Sequence, residues 1–211
     1  LLASFNTAQI GSRTEAGAAP TTVVELIERG GAVLLADEKL DPEVRLELLT
    51  ALGELQRING LNVQAEQLQV KALQVARDHY GATSEKYVYA LVERATTLPD
   101  LGRRDESNAI FDEAIAIMER VGQQDTESYP FALWYRGVNA YGMGSLDEAL
   151  GLFERAEAAC RTYRPTDSTH GAALQWQSNV HQLRDAFDAA EVALRKAVAT
   201  IIDKARKAAI A

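Results

Sequence analysis

The chain has 211 residues, 47% of them hydrophobic, and its 22 Lys and Arg against 30 Asp and Glu give a formal net charge of −8. This acidic balance opposes a phosphate backbone, so we expect no nucleic-acid partner. With one cysteine and no run near the roughly 18 apolar residues that span a bilayer, the composition excludes a disulfide framework and predicts no direct membrane contact by this segment.

Two segments precede the main body of the chain. Residues 1–20 are rich in Gly, Ala, Ser and Thr and predict a linker. Residues 21–40 predict an N-terminal capping helix, which begins with a capping box between a Thr hydroxyl and Glu25. Because glycine is unfavourable inside a helix, Gly30 and Gly31 predict either a bend or a very close helix contact.

Residues 42–211 repeat one pattern. The glycines Gly60, Gly102 and Gly144 recur every 42 residues, and small residues recur at the same interval on either side of them. A glycine ends a helix well because it adopts the left-handed conformation without a steric penalty. A fixed period of helix-turn-helix units predicts an array of stacked repeats. The repeats are expected at about 42–82, 83–123, 125–165 and 167–207.

Small residues indicate how the helices of each pair cross. Gly53, Ala95 and Gly137 occupy the same point of three first helices and allow close approach of the second helix. The fourth pair is degenerate, since Asp185 stands where the turn glycine is expected. Pro99 lacks a backbone N–H and predicts a kinked or shortened helix. The predicted fold class is therefore all-α, a right-handed α-solenoid of helix-turn-helix repeats with flanking helices.

The segments GMGSLDEALGLFERAEAA and LGRRDESNAIFDEAIAI resemble the tetratricopeptide repeat (TPR), in a variant extended from 34 to 42 residues. The leader LLASFNTAQIGSRTEAG and the helices after it are similar to the segment that opens the repeat region of bacterial serine/threonine kinases and winged-helix regulators. That likeness implies a non-catalytic C-terminal part of a larger bacterial signalling protein, since the kinase glycine loop, His-Arg-Asp and Asp-Phe-Gly motifs are absent. It is compatible with a cytoplasmic location, or with an extracytoplasmic one if an upstream membrane helix tethers the chain.

No pattern of catalytic or metal-binding residues stands out. The three histidines are not at metal-ligand spacing with one another or with Cys160, which we expect to be a buried, inert thiol. Acidic pairs such as Asp112-Glu113 and Asp147-Glu148 are expected on solvated flanks of helices. The sequence therefore predicts no enzyme, no metal and no cofactor.

Helical spacing places one stripe of each first helix on the inner, concave face of the array. Trp and Tyr, which are common anchors of protein interfaces, are frequent in this stripe. The residues expected to bind a partner are Glu47, Glu54, Tyr89, Val92, Glu93, Phe131, Trp134, Tyr135, Val138, Tyr141 and Trp176. The resemblance also excludes the clamp that chaperone-binding TPR proteins use for peptide carboxylates, because Thr50, Glu54 and Glu93 replace its Lys and Asn residues.

Two functions remain open at this point. In the first, the chain is a protein-protein interaction or sensory module that binds an apolar or basic protein or peptide segment in an aromatic, acid-rimmed groove. In the second, it is a structural or self-association module, and the groove is filled by its own flanking helices or by a second protomer of a homo-oligomer. The first predicts an accessible Trp134, and the second predicts that Trp134 and Trp176 are shielded.

Overall fold

The computed structural model describes residues 22–36, 39–164 and 167–209, so the predicted linker at 1–20 lies outside the described residues. Nine α-helices follow one another in this part of the chain, and a short 3₁₀ helix, Leu98–Leu101, continues the fourth of them. The α-helices are α1 (Val23–Ala36), α2 (Pro42–Ile58), α3 (Asn62–Tyr80), α4 (Glu85–Thr97), α5 (Arg104–Val121), α6 (Ser128–Gly142), α7 (Leu146–Tyr163), α8 (Ser168–Leu183) and α9 (Phe187–Ala208).

The helices pack in successive pairs: α2 with α3, α4 with α5, α6 with α7 and α8 with α9. Each second helix also packs on the first helix of the next pair, and the first helices of successive pairs touch one another. The second helices of successive pairs stand further apart, so the array curves with the first helices on its inner face. At the two ends, α1 packs on α2 and α3, and α9 packs on α8. The result is the expected all-α solenoid.

Local sequence sets the helix ends. Thr22 and Glu25 form a reciprocal capping box at α1, with donor–acceptor distances of 2.9 and 3.2 Å. Asp41 caps α2 by accepting hydrogen bonds from backbone N–H groups of its first turn. The α-helical geometry of α4 ends at Thr97, and Pro99 lies in the 3₁₀ turn that follows, so the proline shortens the helix as expected.

The turns within the pairs use the left-handed backbone conformation. Gly60, Gly102 and Gly144 have φ values of 77°, 74° and 78°. Asp185 takes the same place in the last pair with φ 56°, a conformation that costs a non-glycine residue free energy and that Asp tolerates better than most. The degenerate turn therefore keeps the geometry of the others.

Glycine also permits two close helix contacts. A Cβ atom on Gly137 of α6 would lie 2.6 Å from Cε1 of Phe153, so the aromatic ring packs directly on the backbone of α6. A Cβ on Gly31 would lie 2.5 Å from Nε2 of Gln56. Of the two outcomes expected for these glycines, a close helix contact is found at Gly31, and α1 continues through Gly30 and Gly31 as one helix.

A hydrophobic core runs between the layers of helices through the array. Its fully buried side chains include Leu49, Leu68, Phe111 and Phe153. Cys160 is also buried, as expected, and burial raises the pKa of its thiol to about 12, which disfavours the reactive thiolate. Among the described helices, none combines the length and the apolar character that a bilayer-spanning helix requires.

Candidate functional site: the inner cleft

A cleft of about 560 Å³ opens on the inner face, where the first helices of three successive pairs lie side by side. We call it the inner cleft. It is lined by Tyr89, Val92 and Glu93 of α4, by Glu127, Ser128 and Phe131 at the start of α6, by Tyr163, Arg164, Asp167, Ser168 and Thr169 from the end of α7 to the start of α8, and by Lys204 of α9. A volume of this size accepts a few side chains of a partner.

Aromatic rings on α6 continue from the cleft along the inner face. The ring centroid of Phe131 lies 5.7 Å from that of Trp134 and 5.5 Å from that of Tyr135. Tyr135 stacks in turn on Phe111 of the core at 5.6 Å. We call Phe131, Trp134 and Tyr135 the aromatic floor. Because the three half-buried rings are held by one another and by the core, they would lose little side-chain entropy when a partner packs on them.

A second aromatic group lies further along α6. The rings of Tyr141 and Trp176 meet edge to face at 5.0 Å, and Trp176 stacks on Phe153 at 5.8 Å. Both Tyr141 and Trp176 are half-buried, as is Val138 between the two groups. This second group ties α6 to α8 and presents only part of its surface.

The electrostatic field in the cleft is negative at the α4 wall. Burial, together with the charges of Glu93, Glu54 and Glu127, raises the pKa of Tyr89 to about 12. Burial also raises the pKa of the Glu93 carboxyl, and repulsion by Glu54 outweighs the attraction of Arg57. A cationic group that entered beside Glu93 would therefore be attracted by several carboxylates.

The opposite wall is organised by Arg164, which bridges two acidic residues. Its guanidinium pairs with Glu127, which precedes α6, and with Asp167 at 3.2 Å. Asp167 in addition caps α8 by accepting the Thr169 N–H at 2.8 Å. The positive charge of Arg164 is thus balanced within this wall, and the bridge joins the starts of α6 and α8.

The structure brings part of the predicted site together. Tyr89, Glu93 and Phe131 line the inner cleft, and Val92 lies in its floor with only 1% of its surface exposed. Trp134 and Tyr135 extend the cleft as the aromatic floor. Tyr141 and Trp176 belong to the second aromatic group, and Val138 lies between the two groups. Glu47 and Glu54 are exposed on α2 and do not line the cleft, although the charge of Glu54 acts on Tyr89 and Glu93.

Sequence reasoning missed the residues between the helices that complete the cleft. The run Asp167-Ser168-Thr169 is an N-cap signal that places Asp167 at the start of α8. No local pattern predicts the Arg164–Glu127 bridge, because its partners are 37 residues apart. Lys204 reaches the cleft only because α9 extends well beyond its last buried residue, Ala197.

The histidines and acidic pairs take varied positions. His79 is exposed, whereas His170 is buried with its Nε2 3.5 Å from Glu157. In the described ranges, no three His, Cys, Asp or Glu side chains are placed to hold a metal ion. Asp112 and Glu148 lie on exposed flanks, but both pair with the buried Arg136, at 3.1 and 2.5 Å.

Comparison with known proteins identifies the fold. No protein-family model and no curated protein sequence matches the chain. BtubC from P. vanneervenii has a TM-score of 0.68 at 18% identity over 84% of this chain and 71% of BtubC. A Podosopora anserina putative kinesin light chain with nearly identical TPR-like repeats has a TM-score of 0.64 at 18% identity, covering 75% of each chain.

A third similar structure is the Rap conjugation gene regulator of the plasmid pLS20, solved in complex with the Phr* peptide. Its TM-score is 0.69 at 17% identity over 87% of this chain, which spans 48% of the regulator. These similarities establish a TPR-like α-solenoid, as the sequence predicted. The narrower likeness to kinases and winged-helix regulators stays a prediction.

Proposed function

We propose that this chain is a non-catalytic interaction module of a larger bacterial signalling protein, and that it binds a partner segment with apolar and basic side chains in the inner cleft. The observation that carries the proposal is the combination of Phe131 and Tyr89 with the negative field around Glu93 in one cleft. An apolar side chain of the partner would pack on the aromatic floor. A Lys or Arg next to it would pair with Glu93.

The geometry of the cleft favours an extended peptide over a flat protein surface. The cleft crosses the middle of α4 and the starts of α6 and α8, and the aromatic floor continues it along α6. Binding would then rest on a few anchors in fixed pockets, with charge selecting the partner. The Rap regulator, solved with the Phr* peptide, shares the solenoid fold and supports a peptide as the kind of partner.

The proposal is tested by selecting peptides on the whole chain from a random displayed library and measuring the affinity of the synthetic peptides. The selected sequences should pair an aromatic or aliphatic residue with Lys or Arg. Glu93→Gln and Phe131→Ala should each weaken binding about tenfold, or about 1.4 kcal/mol. Glu113→Gln, an exposed change on α5, is the matched control and should leave the affinity unchanged. Selected peptides that are indifferent to both cleft variants, or a library that yields no binder, would contradict the proposal.

Glu93→Gln also separates loss of binding from loss of folding. The folded-state pKa of Glu93 is raised, so the folded protein holds the proton more tightly than the unfolded chain. Its contribution to stability is present below the unfolded pKa and is lost as pH rises through the folded pKa. At neutral pH the ionised carboxylate therefore opposes folding, and Glu93→Gln should raise the melting temperature while it weakens peptide binding. A variant that loses both stability and binding would show that Glu93 serves the fold.

The alternative function is a structural or self-association module. The packing does not favour the form of it in which the chain's own flanking helices fill the groove. In the described residues, α1 and α9 pack at the ends of the array, and Lys204 is the only residue of either helix that lines the inner cleft. A groove filled by a second protomer would shield Trp134 in a dimer. With Trp176→Phe, Trp134 is the only tryptophan left, and its quenching by iodide in the monomer and in any dimer distinguishes the two functions.

A further inference from the structure

The last helix, α9, exposes a face whose counterpart on α7, the second helix of the pair before it, is covered. Phe153 and Cys160 of α7 are fully buried under α8. The residues at the same positions of α9 are Leu194 and Ile201, which are 47% and 61% exposed. In the described part of the chain, no further helix covers this face. Its side chains line a groove of about 570 Å³ between α8 and α9, in which Ile201 lies close to Gly171 of α8.

Three of the exposed apolar residues of α9 form a stripe along the helix, while Val192 and Ile202 are exposed beside it. Leu194, Val198 and Ile201 follow each other at intervals of four and three residues, and Val198 is 49% exposed. That alternation keeps side chains on one seam of a helix that packs against another helix. A contiguous exposed apolar patch of this kind marks an interaction site.

Acidic and basic side chains are distributed unevenly along α9, with Arg195 and Lys196 in its middle and Asp203 paired with Lys207 near its end. Asp188 and Glu191 lie in the first turns, and Lys204, Arg206 and Lys207 lie in the last turns. A parallel copy of the helix would bring the basic ends together. An antiparallel copy would place the acidic start of each helix beside the basic end of the other, so the helix is complementary to itself.

We propose that α9 is a self-association surface, on which a second copy of this chain docks its own α9 in antiparallel orientation about a two-fold axis. With the axis passing between Ala197 and Val198, Leu194 of each copy lies opposite Ile201 of the other. The same register sets Glu191 opposite Lys204. Glu191 also pairs with Arg195 of its own helix at 2.6 Å, an exposed bond that the contact across the axis would supplement. This interface shares Lys204 with the lining of the inner cleft, but it does not rest on peptide binding there.

Light scattering on the whole chain tests the proposal. We expect a mass of twice the 23.0 kDa of the chain at high concentration, with dissociation on dilution. Glu191→Lys should weaken the dimer about tenfold or more, because it faces Lys204 of the other copy. Adding Lys204→Glu in the same chain should restore the dimer, since the pair is rebuilt with its charges exchanged.

An apolar variant and its control complete the design. Val198→Glu should abolish the dimer, whereas Val121→Glu, at a 41% exposed valine of α5, should leave it intact. Circular dichroism checks that each variant keeps its helical content. A monomeric wild type at high concentration overturns the proposal. So does a dimer that survives Val198→Glu, or one that Glu191→Lys disrupts and Lys204→Glu fails to restore.

Discussion

The contact between Gly137 and Phe153 shows how a single side chain can set a helix crossing. The ring edge of Phe153 occupies the space of the missing Cβ, and a carbon there would lie 2.6 Å from Cε1 and 2.9 Å from Cδ1. Both residues are buried, so the ring has little room to move away. At this crossing, the small residue that recurs in the sequence therefore marks a real steric limit.

Gly137→Ala should destabilise the protein by about 1–3 kcal/mol, because the added methyl overpacks the crossing. Gly151→Ala is the matched control, since a Cβ at Gly151 meets no atom within 4 Å in the described structure. It should stabilise the protein by up to about 1 kcal/mol, the difference in helix propensity. Urea denaturation of the two variants beside the wild type measures both effects. Equal effects of the two substitutions would show that helix propensity, and not packing, decides the outcome at Gly137.

At the scale of a helix, Asp167 serves both as the cap of α8 and as a partner of Arg164. Burial alone would raise the pKa of its carboxyl, but the Thr169 hydrogen bonds and the Arg164 guanidinium lower it below the ordinary 3.8. The ionised form is therefore the one that stabilises the fold. Its contribution is fully present above the unfolded pKa and is lost as pH falls through the lower, folded pKa.

Asp167→Ala should lower the free energy of unfolding at neutral pH by about 0.5–2 kcal/mol, the usual cost of removing an N-cap. Asp167→Asn keeps a capping oxygen but loses the charge, so it should cost less. The advantage of the wild type over the Asn variant should shrink on acidification below pH 3.8. Thermal unfolding at several pH values follows this difference, with the exposed Asp125→Ala as a control for loss of charge. An Asn variant whose deficit is the same at every pH would rule out the ionic contribution.

The helices themselves could be predicted because caps and turn residues are local. Asp41, Pro99 and the turn glycines act within a few residues of the boundaries that they set. Ion pairs across helices could not be predicted in the same way. Arg136 reaches Glu148, twelve residues on, and Arg94 reaches Glu106 at the same spacing one repeat earlier. The acidic residues of these pairs look like solvated flanks in the sequence, since only packing shows that a half-buried or buried Arg lies beside them.

For the whole molecule, the period of the sequence was sufficient to predict a solenoid, because each unit packs mainly on its neighbours. The inner stripe was also predictable in part, as the positions of Phe131 and Tyr89 in the inner cleft show. The opposite wall of the inner cleft was not predictable, since Arg164 and Lys204 come from segments outside that stripe. Burial of Val92 likewise depends on how closely successive first helices approach, which helical spacing alone does not specify.

The two ends of the array differ from its middle in a way that hydrogen exchange can measure. The middle helices α5 and α6 pack on both sides and contain fully buried side chains such as Phe111 and Leu133. The buried residues of α9 are Ala190, Ala193 and Ala197, and its last turns are exposed. In a linear array of repeats, such an end opens locally at a lower free energy than the middle.

We therefore expect amides of α5 and α6 to exchange slowest in dilute protein and those after residue 200 to exchange fastest. If α9 docks on a second copy, protection of residues 191–204 should increase with protein concentration while α5 stays unchanged. Glu191→Lys should remove that concentration dependence. Concentration-dependent protection at α1, whose Leu26 and Val33 are 43% and 64% exposed, would instead place the self-association surface at the opposite end. Equal protection of α5 and α9 in dilute protein would contradict the linear gradient of stability.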